Sequence, residues 1–431
     1  MLKKIIIFLK KKIFKDFFWV YSGLILNSVS LFLLNAVLAR ALSEETMGIF
    51  SLSLLVLGAV TDMSDFGLNA GLLRFAAYYN GQKQPEKLKQ VVRIVWYWRW
   101  RISIILTVGG LLLADPIADF IFKQPAVSNY LRLSFLGIGG VVILGFISTY
   151  LQSVQKFFIF SVTNTVKGFL RLLLIGLLVW FNIKNLSIIM SAYLLVPWVL
   201  TLVFFKLLPG NFHKNQLEEG ERKKINNELA HFSFWITIWS LVTVVSSRID
   251  QIMISNFLGL KEVSYYYIAM QPIAFYMFFS QTISSVINPK ISSLRNKNEV
   301  KDFVKRILFW LIPVVLGLAL FVYPSKFFIN FFFGQKYANS IMVYVYLAYG
   351  FLFTFLTIPF SAVITVFHQT KFFAINSVIL ILLNIALDWL LIPRFGLYGA
   401  VITFAVGIIF AFVFNAVVSI YLFKYKEIKM I

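Results

Sequence analysis

Asn164, Lys167 and Arg171 are spaced i, i+3 and i+7, which puts them on one face of a helix. The residues around them, 158–181, are otherwise almost wholly apolar. Two cations and an amide on one face offer positive charge and hydrogen-bond donors to an anion. The structural alternative is that each cation snorkels to an interface or pairs with a buried carboxylate. A second polar face falls on Ser240, Thr243, Ser247 and Gln251, with Arg248 beside it. Arg248 and Asp250 are two residues apart, so they point in different directions and are no local ion pair. Arg248, Ser247 and Gln251 are expected to meet substrate. Asp250 is expected in a structural or coupling role, with an interhelical salt bridge as the plainer alternative.

Two further acidic sets follow the same logic. Asp62, Asp65 and Asn69 again stand at i, i+3 and i+7. Carboxylates inside a membrane protein bind protons or cations, or pair with a cation from a neighbouring helix. Arg99 or Arg101 is the nearest such partner in the sequence. Asn376, Asn384 and Asp388 share one face, and Asp388 is either a coupling residue or a solvated group near the helix end.

Other chemistries are missing from the sequence. There is no cysteine, hence no disulfide and no thiolate metal or redox site. Three histidines, His213, His231 and His368, are far apart, and no H-E-x-x-H pattern occurs. No G-x-x-x-x-G-K-[ST] phosphate loop is present, so no built-in ATPase is expected, and no cofactor or metal.

The elements that must position these residues are legible in the composition. Of 431 residues 60% are hydrophobic, and the mean hydropathy is +0.83, well above a soluble domain. The apolar residues fall in continuous blocks of about 20, the length of helix that spans the hydrocarbon core. A β-barrel would alternate in segments of about 10 instead. Twelve spans are expected, at 17–39, 48–72, 92–114, 131–152, 158–181, 186–208, 232–257, 263–287, 303–323, 339–366, 371–392 and 396–422. Gly67, Gly71, Pro272, Pro313 and Pro359 interrupt these blocks and are expected to kink them. The run Trp96-Tyr97-Trp98-Arg99-Trp100-Arg101 reads as an interfacial anchor.

The charge is as informative as the hydropathy. The net charge of +22 would point a soluble chain towards nucleic acid, but here the basic residues gather on one side of the expected spans. They cluster at 3–15, 74–93, 206–224, 290–306 and 424–429, with Lys156 and Lys371 in short turns on the same side. The opposite turns carry mostly single charges such as Arg40, Lys123, Lys184 and Arg394. The positive-inside rule makes the basic side cytoplasmic and places both termini there. The first apolar stretch is too long for a signal peptide and contains Asn27 and Asn35, so an uncleaved first helix is expected.

The two halves repeat at an offset of about 215. Lys156-Phe157-Phe158 matches Lys371-Phe372-Phe373, and Arg74 matches Lys290, each at an equivalent span boundary. Arg40-Ala41-Leu42-Ser43 likewise matches Asn256-Phe257-Leu258-Gly259. Six spans per half give repeats of the same orientation, with the substrate path expected between the halves. The expected organisation is a first lobe at 1–208, a basic linker at 209–231 and a second lobe at 232–431.

Four motifs resemble one family. Leu38-Ala39-Arg40-Ala41-Leu42-Ser43-Glu44-Glu45-Thr46-Met47-Gly48-Ile49-Phe50 is similar to the first outer loop of the polysaccharide-export flippases. Asp65-Phe66-Gly67-Leu68, followed by Leu72-Leu73-Arg74-Phe75, resembles their second-span motif. Ser247-Arg248-Ile249-Asp250 resembles the seventh-span Arg/Lys-x-Asp motif, and Ile392-Pro393-Arg394-Phe395-Gly396-Leu397-Tyr398-Gly399-Ala400 the last outer turn. The resemblance covers nearly the whole chain and extends to the multidrug, oligosaccharidyl-lipid and polysaccharide exporter superfamily. It implies an all-α integral membrane fold of twelve helices, in two six-helix lobes related by a parallel pseudo-two-fold around a central cavity. The implied substrate is an undecaprenyl-pyrophosphate-linked oligosaccharide, an O-antigen or capsule unit, moved from the cytoplasmic to the outer leaflet of the bacterial inner membrane. Asn164, Lys167 and Arg171 would then meet the pyrophosphate or acidic sugars. Membrane lipids surround such a protein, and a glycan polymerase and chain-length proteins would be its partners; nucleic acid would not. A multidrug or cation antiporter of the same fold is one alternative, which Lys167, Arg171 and Arg248 disfavour. A membrane-bound glycan polymerase or ligase is the other, and the short outer loops gather no catalytic acids and histidines.

Overall fold

The computed structural model describes residues 12–425, apart from 213–216, 247, 293, 295, 368 and 370. His213, His368 and the terminal lysines at 3–11 and 426–429 therefore lie outside the described residues. The chain forms two compact units, Met1–Val244 and Val245–Ile431. The first holds α1 (Lys12–Ala41), α2 (Glu44–Met63), α3 (Leu68–Gly81), α4 (Pro85–Pro116), α5 (Ser128–Ser153), α6 (Phe157–Trp180), α7 (Leu186–Phe204) and nearly all of α8 (Glu219–Ser246). The second holds α9 (Ile249–Phe257), α10 (Leu260–Ser292), α11 (Lys297–Ser325), α12 (Phe327–Phe333), α13 (Ala338–Val366), α14 (Lys371–Phe395) and α15 (Leu397–Tyr425). No strand occurs among the described residues.

Among the described residues, ten helical segments are long and apolar enough to cross a membrane, six before residue 210 and four after 296. Large apolar side chains stand outward on them, among them Leu112, Trp180 and Leu320 at 75%, 84% and 78% exposure, a surface that suits hydrocarbon and not water. This is a multi-pass membrane protein. The stretches expected as spans seven and eight are occupied by α8 with α9, and by α10.

Two expected spans are divided. The apolar block 48–72 is α2 and α3, separated by a turn in which Phe66 and Gly67 take φ of 42° and 65°. Glycine enters that region without strain, so Gly67 is where the helix can stop. The backbone groups released by the break are satisfied locally. Leu68 N donates to Asp65 O at 2.8 Å, Asn69 N to the Asp65 carboxylate at 3.3 Å, and the Arg99 guanidinium to Ser64 O at 3.1 Å. The block 232–257 is likewise α8 and α9, with Arg248 at the start of α9. α8 begins at Glu219 and buries Ile225 and Leu229 in one core with Leu72, Ala76, Val91 and Val95. A Lys87–Glu221 ion pair of 3.0 Å ties its first turn to α4.

α1 and α6 approach backbone to backbone. A Cβ on Gly23 would lie 2.6 Å from Ser161 Cα, and one on Gly168 would lie 3.0 Å from Asn27 Cα. This contact fixes the rotation of α6, and with it the direction of Lys167 and Arg171.

The turn between α14 and α15 is equally constrained. Gly396 has φ 59°, and a Cβ on Gly399 would come within 2.4 Å of the Leu391 carbonyl oxygen. Gly399→Ala should therefore destabilise the purified protein by about 1–3 kcal/mol, the usual cost of overpacking. Gly317→Ala, with nothing within 4 Å of its Cβ position, should be neutral or slightly stabilising. Thermal unfolding in one detergent compares the two, and equal unfolding temperatures would contradict the close approach at Gly399.

Candidate functional site

Among the described residues, no carboxylate holds the α6 cations. Arg171 is 6% exposed; its Nε donates to the Tyr193 carbonyl at 3.1 Å, and its guanidinium carbon sits 3.8 Å from the Tyr193 ring centroid. A planar guanidinium over an aromatic face is a stabilising cation–π contact. Tyr193 comes from α7 and meets Phe50 of α2 edge to face, with ring centroids 6.0 Å apart. Lys167 is half-buried and reaches the Asn164 amide oxygen at 3.4 Å, while Asn164 donates to Phe160 O at 3.0 Å. Among the described residues neither cation makes an ion pair. The structure thus brings Asn164 and Lys167 together and sends Arg171 towards α7. Asn27 of α1, level with Gly168, adds a buried amide oxygen with no donor.

The acidic set of the first unit is partly structural. Asp65 pairs with Arg99, whose side chain is 2% exposed. Of the two arginines named from the sequence, Arg99 is the partner, and Arg101 is exposed. Asp62 is exposed and lines a recess of about 290 Å³ with Asp65, Asn69 and Arg99.

In the second unit the acids meet each other. The Tyr266 hydroxyl of α10 donates to Asp250 at 2.7 Å. Asp388 of α14 lies against Asp250, with Thr403 of α15 beside it. The Thr403 hydroxyl is within hydrogen-bond reach of the Asp388 carboxylate as well as of Gly399 O, the latter at 3.1 Å. Asp388 is 0% exposed; its carboxylate faces the second acid and the Thr403 hydroxyl, and among the described residues no cation pairs with it. A solvated Asp388, one of the two sequence expectations, is therefore corrected: the turn at Gly396 folds α15 back over it. Among the described residues Asp250 makes no interhelical salt bridge; its neighbours are a tyrosine and a second acid. Arg248 is half-buried at the start of α9, Gln251 is half-buried one turn on, and Ser247 lies outside the described residues.

Sequence reasoning missed Tyr193, Tyr266 and Thr403. Tyr266 sits in the run Tyr265-Tyr266-Tyr267, and Thr403 in an unbroken apolar block, so neither had a spacing to mark it. Only the antiparallel pairing of α14 with α15 sets Thr403 beside Asp388.

A family described as polysaccharide biosynthesis protein matches residues 37–342. A putative O-antigen transporter of Shigella flexneri is 21% identical, over 86% of this chain and 89% of that protein. A probable low-salt glycan biosynthesis flippase of Haloferax volcanii is 24% identical, over 90% of this chain and 80% of that protein. Among solved structures, the inward-facing form of a multidrug resistance MATE family transporter of the MOP superfamily superimposes with a TM-score of 0.72. That likeness covers 94% of this chain and 99% of the other at 14% identity, and it gives the chain a MATE-like fold.

The Asp65–Arg99 pair makes a stability prediction. Removing one partner of a buried pair leaves a stranded charge, so Arg99→Met should cost about 2–3 kcal/mol, the low end because Asp65 is 24% exposed. Asp65→Asn with Arg99→Met should recover most of that loss. Unfolding of the purified variants measures it; a double variant no better than Arg99→Met would contradict the pairing.

Proposed function

We propose that this chain, which belongs to the polysaccharide biosynthesis protein family, is a transporter that flips a lipid-linked glycan across the membrane. The observation that carries this reading is positive charge on α6 with no carboxylate to neutralise it. A cation inside a membrane protein costs about 2.5–3.5 kcal/mol on insertion scales, and such residues mark substrate paths. An anionic head group is the natural partner of Lys167. Arg171, fixed by Tyr193, supports it as a stationary charge. The relatives named for O-antigen transport and glycan flipping support the same class.

The finer reading follows. The substrate is an undecaprenyl-pyrophosphate-linked oligosaccharide, moved from the cytoplasmic to the outer leaflet of the inner membrane. Twelve spans form two six-helix lobes related by a parallel pseudo-two-fold, with both termini cytoplasmic and a central cavity that opens to each side in turn. Asn164, Lys167, Arg171, Arg248, Ser247 and Gln251 contact the head group. A glycan polymerase and chain-length proteins receive the product. Asp250 and Asp388 couple transport to an ion. Two adjacent carboxylates repel each other strongly where water is scarce, and a proton or monovalent cation between them removes the repulsion. Asp62 and Asp65 are the weaker coupling candidates, since Asp65 already has Arg99.

The fold and the acid pair also favour a second reading, an antiporter for a cationic drug. The two differ in the sign of the cargo. In proteoliposomes holding the full-length protein and a polyprenyl-pyrophosphate oligosaccharide analogue, Lys167→Ala should slow translocation about tenfold, the equivalent of one charge-assisted hydrogen bond. Lys167→Arg should retain most of the rate. Translocation at the parental rate in Lys167→Ala would remove α6 from the mechanism, and transport of a cationic dye in place of the glycan would favour the antiporter. Asp388→Asn should abolish any dependence on a proton or sodium gradient while leaving glycan binding intact; an unchanged gradient dependence would remove the acid pair from coupling.

A further inference from the structure

At the break between α2 and α3 the first unit holds a recess of about 290 Å³. Thr61 and Asp62 from the end of α2, Asp65 from the turn, Asn69 from the start of α3 and Arg99 from α4 make its polar lining. Val142 of α5 and Val244 of α8 add apolar surface, and Gly145 of α5 adds bare backbone. A Cβ on Gly145 would meet nothing within 4 Å, so the space beside α5 is open there.

Three of these residues hold a buried polar atom with no partner among the described residues: Thr61 Oγ1, Asn69 Oδ1 and Arg99 Nε. Thr61 departs from the habit of its neighbours. Thr149 and Thr163 donate their hydroxyl protons to carbonyls four residues back, at 3.0 and 2.9 Å, and Thr61 makes no such bond. Arg99 is 2% exposed and donates from its two terminal nitrogens to Asp65 and Ser64 O, which leaves the Nε–H over. The unmet groups are therefore of both kinds. Arg99 Nε–H only donates, Asn69 Oδ1 only accepts, and the Thr61 hydroxyl does either. Groups buried in this way cost stability, and each calls for a partner.

The mixture narrows the partner. A metal ion cannot answer an N–H, and a fully ionised anion cannot answer an amide oxygen. Two carboxylates against one guanidinium also leave the recess net negative, which disfavours a diphosphate. Neighbouring hydroxyl groups give and accept at once, and the C–H face of a sugar ring suits the valines. The volume is close to the lower size of small-molecule sites, roughly 300 Å³. We propose that this recess binds one sugar ring of the glycan head group through its hydroxyls, as a subsite whose residues are distinct from the α6 cations. That a glycan arrives at all rests on the flippase reading above; the sugar subsite rests on the unmet groups of the recess.

Full-length protein in nanodiscs is titrated with a short-chain polyprenyl diphosphate, bare or carrying one glucose, galactose or N-acetylglucosamine. The parent should bind at least one sugar-bearing probe about tenfold more tightly than the bare lipid, the yield of about two neutral hydrogen bonds. In Gly145→Leu the new side chain enters the open space, and the preference should fall to near one. Thr61→Val removes one hydroxyl and should cut it about threefold. Thermal unfolding checks that each variant folds. A parent that binds bare and sugar-bearing lipids equally overturns the proposal and assigns the recess to bound water. A preference that survives in folded Gly145→Leu overturns it too, and so does one unchanged in Thr61→Val should the leucine variant not fold. In each of these cases binding of the bare lipid leaves the flippase reading standing. No binding of any probe by the parent removes both.

Discussion

Within hydrocarbon there is no water to satisfy a polar group, so each one must find its partner in the protein or in what the protein carries. That constraint explains the irregular parts of this fold. α2 stops at Met63 because Gly67 can leave the helical region, but the break is tolerable only because Asp65 and Arg99 take up the exposed amides and the Ser64 carbonyl. The arginine is nearly inaccessible, and its charge is answered by the carboxylate that belongs to the same turn. A break, a cap and an ion pair are one device.

The two units treat charge differently. On α6 the cations are given neutral acceptors: an amide oxygen for Lys167, and a carbonyl with an aromatic face for Arg171. These contacts hold the side chains in place and leave their charge unspent. In the second unit the acids are given a tyrosine hydroxyl, a threonine hydroxyl and each other, and among the described residues no cation. On the proposed reading, the first unit would take a negative ligand and the second a positive one. A transporter that moved an anionic head group and coupled the movement to a cation would need both.

The sequence carried the membrane class, the positions of most helices and the face of α6, because hydropathy blocks and i, i+3, i+7 spacings are local properties. It identified Arg99 as a candidate for Asp65 for the same reason: both lie near a span end at similar depth. It failed where partners come from distant helices. Nothing near Asp250 marks Tyr266 or Asp388, and the solvated alternative for Asp388 was reasonable for a carboxylate seven residues from the end of its helix. The divided span at 48–72 was half legible. Gly67 was noted as an interruption, but hydropathy cannot tell a kink from a full stop; Asp65 beside it, able to cap the next helix, decides between them.

Structural charges can be told from functional ones by the completeness of their contacts. Arg99 has a carboxylate and a carbonyl that answer its charge, although its buried Nε–H has no acceptor. Lys167 has one long hydrogen bond to an amide, and Asp388, fully enclosed, faces a second acid and no cation among the described residues. Selection for stability alone would replace an enclosed, unanswered carboxylate with a leucine, since an apolar residue of similar size is usually no less stable there. Its presence is better explained by a ligand that visits.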